Sequence, residues 1–304
     1  MDRFDSLECF IAVVEAGQFS AAAERLGLGK SVVSRRVSEL EEHLGARLLQ
    51  RTTRRLALTE AGREFYPRAL QLLEDLAEAE QSLSSGQRAL GGRIRLAAPL
   101  SFGLMHLAPA LNDFMKAHPG VMLDLDLDDS QINLIQEGVD LALRIGQLGD
   151  SSMIALPLAR IHSLIVASPD YLAHHGTPTT PEALASHQAL CYSNLPEPHK
   201  WRMRDAEGNQ YSVSLPLRLL ANNGDLLLQA AIAGLGLCLS PTFIAYRAIQ
   251  EGKLVPILRD YRVATVTAYA VYPSRRFVPQ RVRSLVEFLQ SAFGTKPYWD
   301  EGLF

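Results

Sequence analysis

Apolar positions recur at helical spacing from the start of the chain. Phe4, Leu7, Phe10, Ile11 and Val14 share one face and Gly17 stops the run, which predicts a first helix. Ser20 stands where an N-cap belongs, ahead of the short helix former AAAERLG that ends at Gly27. After a turn of Leu28, Gly29 and Lys30, the stretch SVVSRRVSELEEHL puts Val33, Val37, Leu40 and Leu44 on one face and leaves Ser34, Arg35 and Ser38 outward. Two short helices joined by a tight glycine turn form the helix-turn-helix pattern. RLLQRTTRRLALT alternates loosely, which predicts a two-stranded wing with Arg51, Arg54 and Arg55 at its tip. From Thr59 the pattern changes. Phe65, Ala69, Leu72, Leu76, Ala79 and Leu83 alternate spacings of four and three, the seam of a dimerising coiled coil, until SSGQRALGG breaks it.

Beyond Gly92 strands and helices alternate. IRLAAP reads as a strand, 102–116 as a helix, and VMLDLDLDD as a strand with Val121, Leu123, Leu125 and Leu127 inward; 132–137 reads as a helix and DLALRIG as a strand. A second set follows: SLIVASP, PLRLLAN, a helix over 224–233 and the strand GLCLS. ATVTAYAVY and a helix over 278–293 return to the first set. Repeated βα units imply a parallel sheet with helices on both faces. The expected organisation is a winged helix-turn-helix over 1–60, a linker helix and hinge over 61–90, and an α/β region over 91–304. Within that region the first set of elements takes about 91–160 and 266–296, and the second about 161–265.

Length and charge support this division. The chain has 304 residues, about twice a common domain size. Its net charge of -3 hides a basic stretch, since residues 25–55 hold eight Lys and Arg against three Glu. One module for an anionic partner, attached to an otherwise acidic body, fits this better than a uniformly basic coat. Three scattered cysteines, Cys9, Cys191 and Cys238, argue against a disulfide framework and for a reducing cytoplasm. The acidic start disfavours an export signal, and the apolar stretch 226–239 is too short for a membrane span.

A helix entering the major groove needs small residues for close approach, hydroxyls for phosphates and arginine for guanine edges or phosphates. Ser31, Ser34, Arg35, Arg36 and Ser38 supply these, with Lys30 at the amino end and Ser20 on the preceding helix. Other motifs fail on spacing. GLGKS lacks both the first glycine and the preceding strand of a phosphate loop, and Asp124, Asp126 and Asp128 lack the glycine and terminal glutamate of a calcium loop. His174 and His175 are adjacent and have no cysteine at zinc spacing, so neither a metal nor a cofactor is expected. For a ligand, the strand-to-helix junctions carry small polar residues: Leu100 and Ser101, Ser130 and Gln131, and Asn222 and Asn223. Arg144 could act as a counter-charge or as a surface ion-pair partner, and Phe102 and Leu148 could wall an apolar part. Cys238, in a strand, reads as inert packing.

The string FIAVVEAGQFSAAAERLGLGKSVVSRRVSELEEHLGARLLQRTTRRLALTEAG resembles the amino-terminal signature of LysR-type transcriptional regulators. GRIRLAAPLSFG, EGVDLALRIG, SPDYLAHHGTP and AAIAGLGLCLSP resemble that family's effector-binding half, in particular its CrgA-like branch. The chain departs at Gly29, Lys30, Ser31 and Val32, where the family usually has Ser-Gln-Pro-Ala, and at Leu49, where a Phe is common. The resemblance implies a winged helix-turn-helix with a linker helix, followed by a two-lobed, periplasmic-binding-protein-like α/β effector domain. It also implies a non-enzymatic regulator that binds double-stranded DNA as a homodimer or homotetramer. An organic anion or polar metabolite between the lobes would change DNA bending and the access of RNA polymerase. A small-molecule receptor without a DNA role is disfavoured by the helix-turn-helix, and a nucleotide hydrolase by the incomplete phosphate loop.

Overall fold

The computed structural model describes residues 2–51, 56–83, 90–129, 138–146, 153–273 and 278–304, with the side chains of 51, 71, 74, 75 and 77–83 outside that description. Expectations at Arg51, Arg54, Arg55, Ala79, Leu83, Ser130, Gln131, the 132–137 helix and Leu148 therefore lie outside the described residues or side chains. The chain forms two compact units, Met1–Ala89 and Leu90–Phe304.

The first unit contains α1 (Arg3–Ala16), α2 (Phe19–Leu26), α3 (Lys30–Leu44), the wing strands β1 (Leu49–Arg51) and β2 (Leu56–Leu58), and α4 (Glu60–Leu83). Its core takes Leu7, Phe10, Ile11, Val33, Val37 and Leu40 from the predicted stripes and adds Val13, Leu48 and Ala69, whereas Phe4 and Leu44, expected on those faces, are exposed at the helix ends. Gln18, not Ser20, holds the N-cap of α2, because the helix starts at Phe19 and places the Ser20 hydroxyl in its first turn, donating to Gln18 Oε1 at 3.4 Å. The wing pairs antiparallel, with Leu49 opposite Leu58 and Arg51 opposite Leu56. Thr59 caps α4 by accepting from Gly62 N–H at 2.9 Å. Gly62 is required by space, since a Cβ there would lie 2.1 Å from the Leu48 carbonyl oxygen.

The second unit has two main sheets. Lobe 1 orders its strands β4-β3-β5-β15-β6, with β3 (Gly91–Ala98) parallel to β4 (Gly120–Leu127) and β5 (Leu141–Gly146). The long β15 (Val266–Pro273) runs antiparallel to β5 and to β6 (Met153–Ile161). The sheet is therefore mixed rather than parallel, because the chain comes back from lobe 2 in the opposite sense. Leu125 is exposed, unlike Val121, because β4 is an edge strand. Helical residues 100–117 split into a short turn α5 (Leu100–Phe102), a π-helical turn (Gly103–Leu107) and α6 (Ala108–Ala117).

Lobe 2 orders its strands β11-β8-β12-β7-β13, from β7 (Ser163–Ala167), β8 (Ala189–Tyr192), β11 (Leu217–Ala221), β12 (Leu237–Pro241) and β13 (Val255–Ile257). A small antiparallel sheet of β9 (Lys200–Arg204), β10 (Gln210–Ser214) and β14 (Arg262–Val263) flanks it. Helices α7 (Pro169–His175), α8 (Gly224–Ile232) and α9 (Thr242–Gln250) belong to this lobe, and α10 (Gln280–Phe293) returns to lobe 1. One apolar core runs through both lobes, from Ile94, Phe102 and Leu285 to Val166, Leu227 and Phe243.

Candidate nucleic-acid interface and effector cleft

On α3 the residues Lys30, Ser31 and Arg35 are exposed, and Ser34 and Ser38 are half-buried beside them, with the Ser38 hydroxyl donating to the Ser34 carbonyl at 2.9 Å. The Arg35 side chain is 69% exposed, and it lies 3.8 Å from Glu39. Arg36 faces differently. Its guanidinium lies 2.6 Å from Asp5, beside the Cys9 thiol, so it braces α3 against α1 instead of standing out with Lys30, Ser31 and Arg35. One helical step of about 100° carries Arg36 from the outer face to the margin of the Val33–Val37 stripe. The Cys9 thiol is pushed up by burial, partly offset by Arg36.

Sequence reasoning passed over Glu41. Its carboxylate is buried, accepts from Leu48 N–H at 2.9 Å and Leu49 N–H at 3.0 Å, and pairs with Arg47 at 3.0 Å. It thereby ties the recognition helix to the entry of the wing. The signal was present, since Glu41 falls eight residues after Val33 on the buried stripe, where a charge must be paired.

The linker seam is corrected at its first two positions. Phe65 packs on Phe10 at 6.0 Å between ring centroids, and Ala69 is fully buried in the same core. They serve their own unit, because a four-three stripe marks an apolar face without specifying whose surface covers it. Leu72 is 50% exposed and Leu76 half-buried, so both remain open to a second helix.

In the second unit the polar junctions meet across the lobes. Ser101, buried at α5, donates its hydroxyl to the carboxylate of Asp225 in the first turn of α8. Asn223 caps α8 by accepting from Leu226 N–H at 3.0 Å. Leu100 N–H donates to Asp129 at 3.1 Å, and the Asn194 amide donates to the Asp129 carbonyl at 3.2 Å. Burial, together with Asp128 and Asp225, pushes the Asp129 carboxyl up. Asn222 is exposed beside this junction, while Arg144 lies on β5 opposite Tyr269. Phe102 is not a cleft wall: it is fully buried, with Phe243, Phe293 and Trp299 edge-on at 5.2, 5.4 and 5.7 Å. The expected anion is also disfavoured at Ser101, because the donors that would hold it already serve the chain's own carboxylates.

The remaining candidates are structural. Asp124 pairs with Arg93 and Arg95, which holds its carboxyl below the usual range. His174 and His175 cap their own helix through backbone carbonyls. Cys238 is buried, and burial pushes its thiol up to about 12. Among the described residues no group of three His, Cys, Asp or Glu is placed to hold a metal, and no helix is long and apolar enough to cross a membrane.

An exposed Ser/Arg helix on a winged helix-turn-helix, followed by a two-lobed α/β domain with a polar junction between its lobes, defines an effector-responsive DNA-binding regulator. Comparisons with known proteins specify the family. The profile of bacterial regulatory helix-turn-helix proteins of the lysR family matches residues 4–63, and the LysR substrate-binding domain matches 87–294. The chain is 38% identical to the transcriptional regulator CrgA of Neisseria meningitidis over 291 residues, covering 95% of this chain and 97% of CrgA. The solved CrgA structure matches with a TM-score of 0.61 at 37% identity, covering 95% of this chain and 99% of that one. AphB, a virulence activator of Vibrio cholerae, matches with a TM-score of 0.60 at 31% identity, over 94% and 98%. The chain belongs to the LysR family of transcriptional regulators: it binds DNA through the amino-terminal unit and is modulated through an effector-binding domain.

Proposed function

We propose that this regulator works in the cytoplasm as a homodimer or homotetramer and recognises its operator through Lys30, Ser31, Ser34, Arg35 and Ser38, with Arg51, Arg54 and Arg55 of the wing on flanking phosphates. The exposure of Arg35, beside an Arg36 that is consumed internally, carries this reading. Self-association is supported by Leu72 on the linker and by apolar side chains on both sheet edges, Met122 and Leu125 on β4 and Leu217 and Leu220 on β11.

The effector is a small polar metabolite held where Ser101, Asp129, Asn223 and Asp225 converge. Carboxylates there favour a ligand that brings hydrogen-bond donors rather than a further negative charge. Because a ligand shifts an equilibrium only by its preference between two states, the effector acts by exchanging the Ser101–Asp225 contact for its own, which alters promoter DNA and the access of RNA polymerase. No reaction is catalysed. The test is selection of genomic fragments by the purified protein followed by a binding titration against salt. A selected fragment whose affinity falls steeply with salt is expected. Equal, salt-insensitive retention of all fragments would refute the reading.

A further inference from the structure

The family's effector-domain profile ends at residue 294, where Gly294 (φ 63°) turns the chain out of α10. The ten residues that follow do not trail along one lobe. Trp299 is fully buried, with its ring 4.4 Å from that of His106 and close to Phe102 and Phe293; Leu303 is buried as well. The polar contacts reach three places. Tyr298 O–H meets His106 Nδ1 of lobe 1 at 2.5 Å. Asp300 Oδ2 meets Nδ1 of His162, the single residue between β6 and β7, at 2.9 Å. Arg259 of lobe 2 donates to the Leu303 carbonyl at 2.8 Å.

His106 extends the link. Its Nε2 lies 3.0 Å from the carbonyl of Phe243 on α9, and a carbonyl only accepts, so the proton sits on Nε2 and Nδ1 accepts from Tyr298. His162 is tied to the same helix, since its carbonyl accepts from Thr242 N–H at 2.8 Å. The chain passes between the lobes at His162 and again between Val263 and Val266, and the tail is bonded at the first of these crossings.

We propose that residues 295–304 form a strap that fixes the hinge side of the two lobes, so that effector-driven motion becomes a rotation about a pinned edge rather than a free opening. A tail that only filled core space would need Trp299 and Leu303 but not the Tyr298 and Asp300 contacts.

The test uses the full-length chain carrying spin labels at Asp113→Cys in lobe 1 and Glu207→Cys in lobe 2, both exposed positions; the native cysteines are buried. Tyr298→Phe with Asp300→Asn removes or weakens the two polar links and leaves Trp299 and Leu303 in place. The expected result is a broader interlobe distance distribution and hydrogen exchange at Thr242 N–H faster by about tenfold, the change that the loss of a net hydrogen bond brings. An unchanged distribution and exchange rate in that variant would overturn the strap. Broadening seen only with Trp299→Ala would do the same, by reducing the tail to core filler.

Discussion

The two units use their polar side chains in opposite ways. On α3, Lys30, Ser31 and Arg35 reach solvent, while Arg36 and Glu41, on the same helix, are bonded to α1 and to the wing. In the effector unit the polar groups at the lobe junction turn to one another: Ser101 to Asp225, Leu100 N–H to Asp129, and Asn194 to Asp129. On the proposed reading, the α3 face presents its donors before DNA arrives, and phosphate attraction can act at once. An effector at the lobe junction would instead compete with bonds the chain already makes, which is the condition for coupling its binding to a change of state.

The largest expected effect concerns Phe102, which belongs to the core and not to the cleft. Phe102→Ala should cost about 3–5 kcal/mol in urea denaturation, as deletion of a buried aromatic does. A loss below about 1 kcal/mol would restore Phe102 to the cleft wall. Next comes His106, whose ordinary value of 6.5 is lowered to about 4 by burial, only partly countered by the Phe243 carbonyl. The folded state binds this proton less tightly than the unfolded chain. Its contribution is therefore complete above pH 6.5 and is lost as pH falls through about 4, for a total of about 3 kcal/mol. Denaturation midpoints compared at pH 7 and 4.5 should converge for His106→Gln relative to the parent; an identical acid loss in both would assign the effect elsewhere. Smaller still is the lobe contact. Ser101→Ala, Asp225→Ala and the double variant should show a coupling energy of about 1 kcal/mol in a double-mutant cycle, whereas strict additivity would mean that the contact is not formed in solution.

The first three helices of the first unit were legible because apolar positions recur at helical spacing and each ends on a glycine. What the stripe could not resolve was its margin. Arg35 and Arg36 look equivalent until Asp5, thirty-one positions earlier, selects Arg36. Phe65 and Ala69 carried a true apolar seam, but its partner, α1, lay in their own chain. Alternation marked the strands of the effector unit, yet their sense depended on the path of the connections, and the sheet is mixed at β15. The Ser101–Asp225 bond joins residues 124 apart, with no local signal to pair them. The strap was hidden for a related reason, since Trp299 and Tyr298 look like a polar-aromatic tail until His106 and His162 are placed beside them.

The most direct measurement compares Arg35→Ala with Arg36→Ala on one selected operator fragment, across a range of salt. Arg35→Ala should keep the parental melting temperature and lose either about 1–3 kcal/mol of specific binding, as a base reader does, or about 0.9 in salt slope, as a phosphate contact does. Arg36→Ala should lower thermal stability and leave the salt slope unchanged. Parental operator binding by Arg35→Ala, together with a reduced slope for Arg36→Ala, would contradict the assignment of the exposed α3 face to DNA.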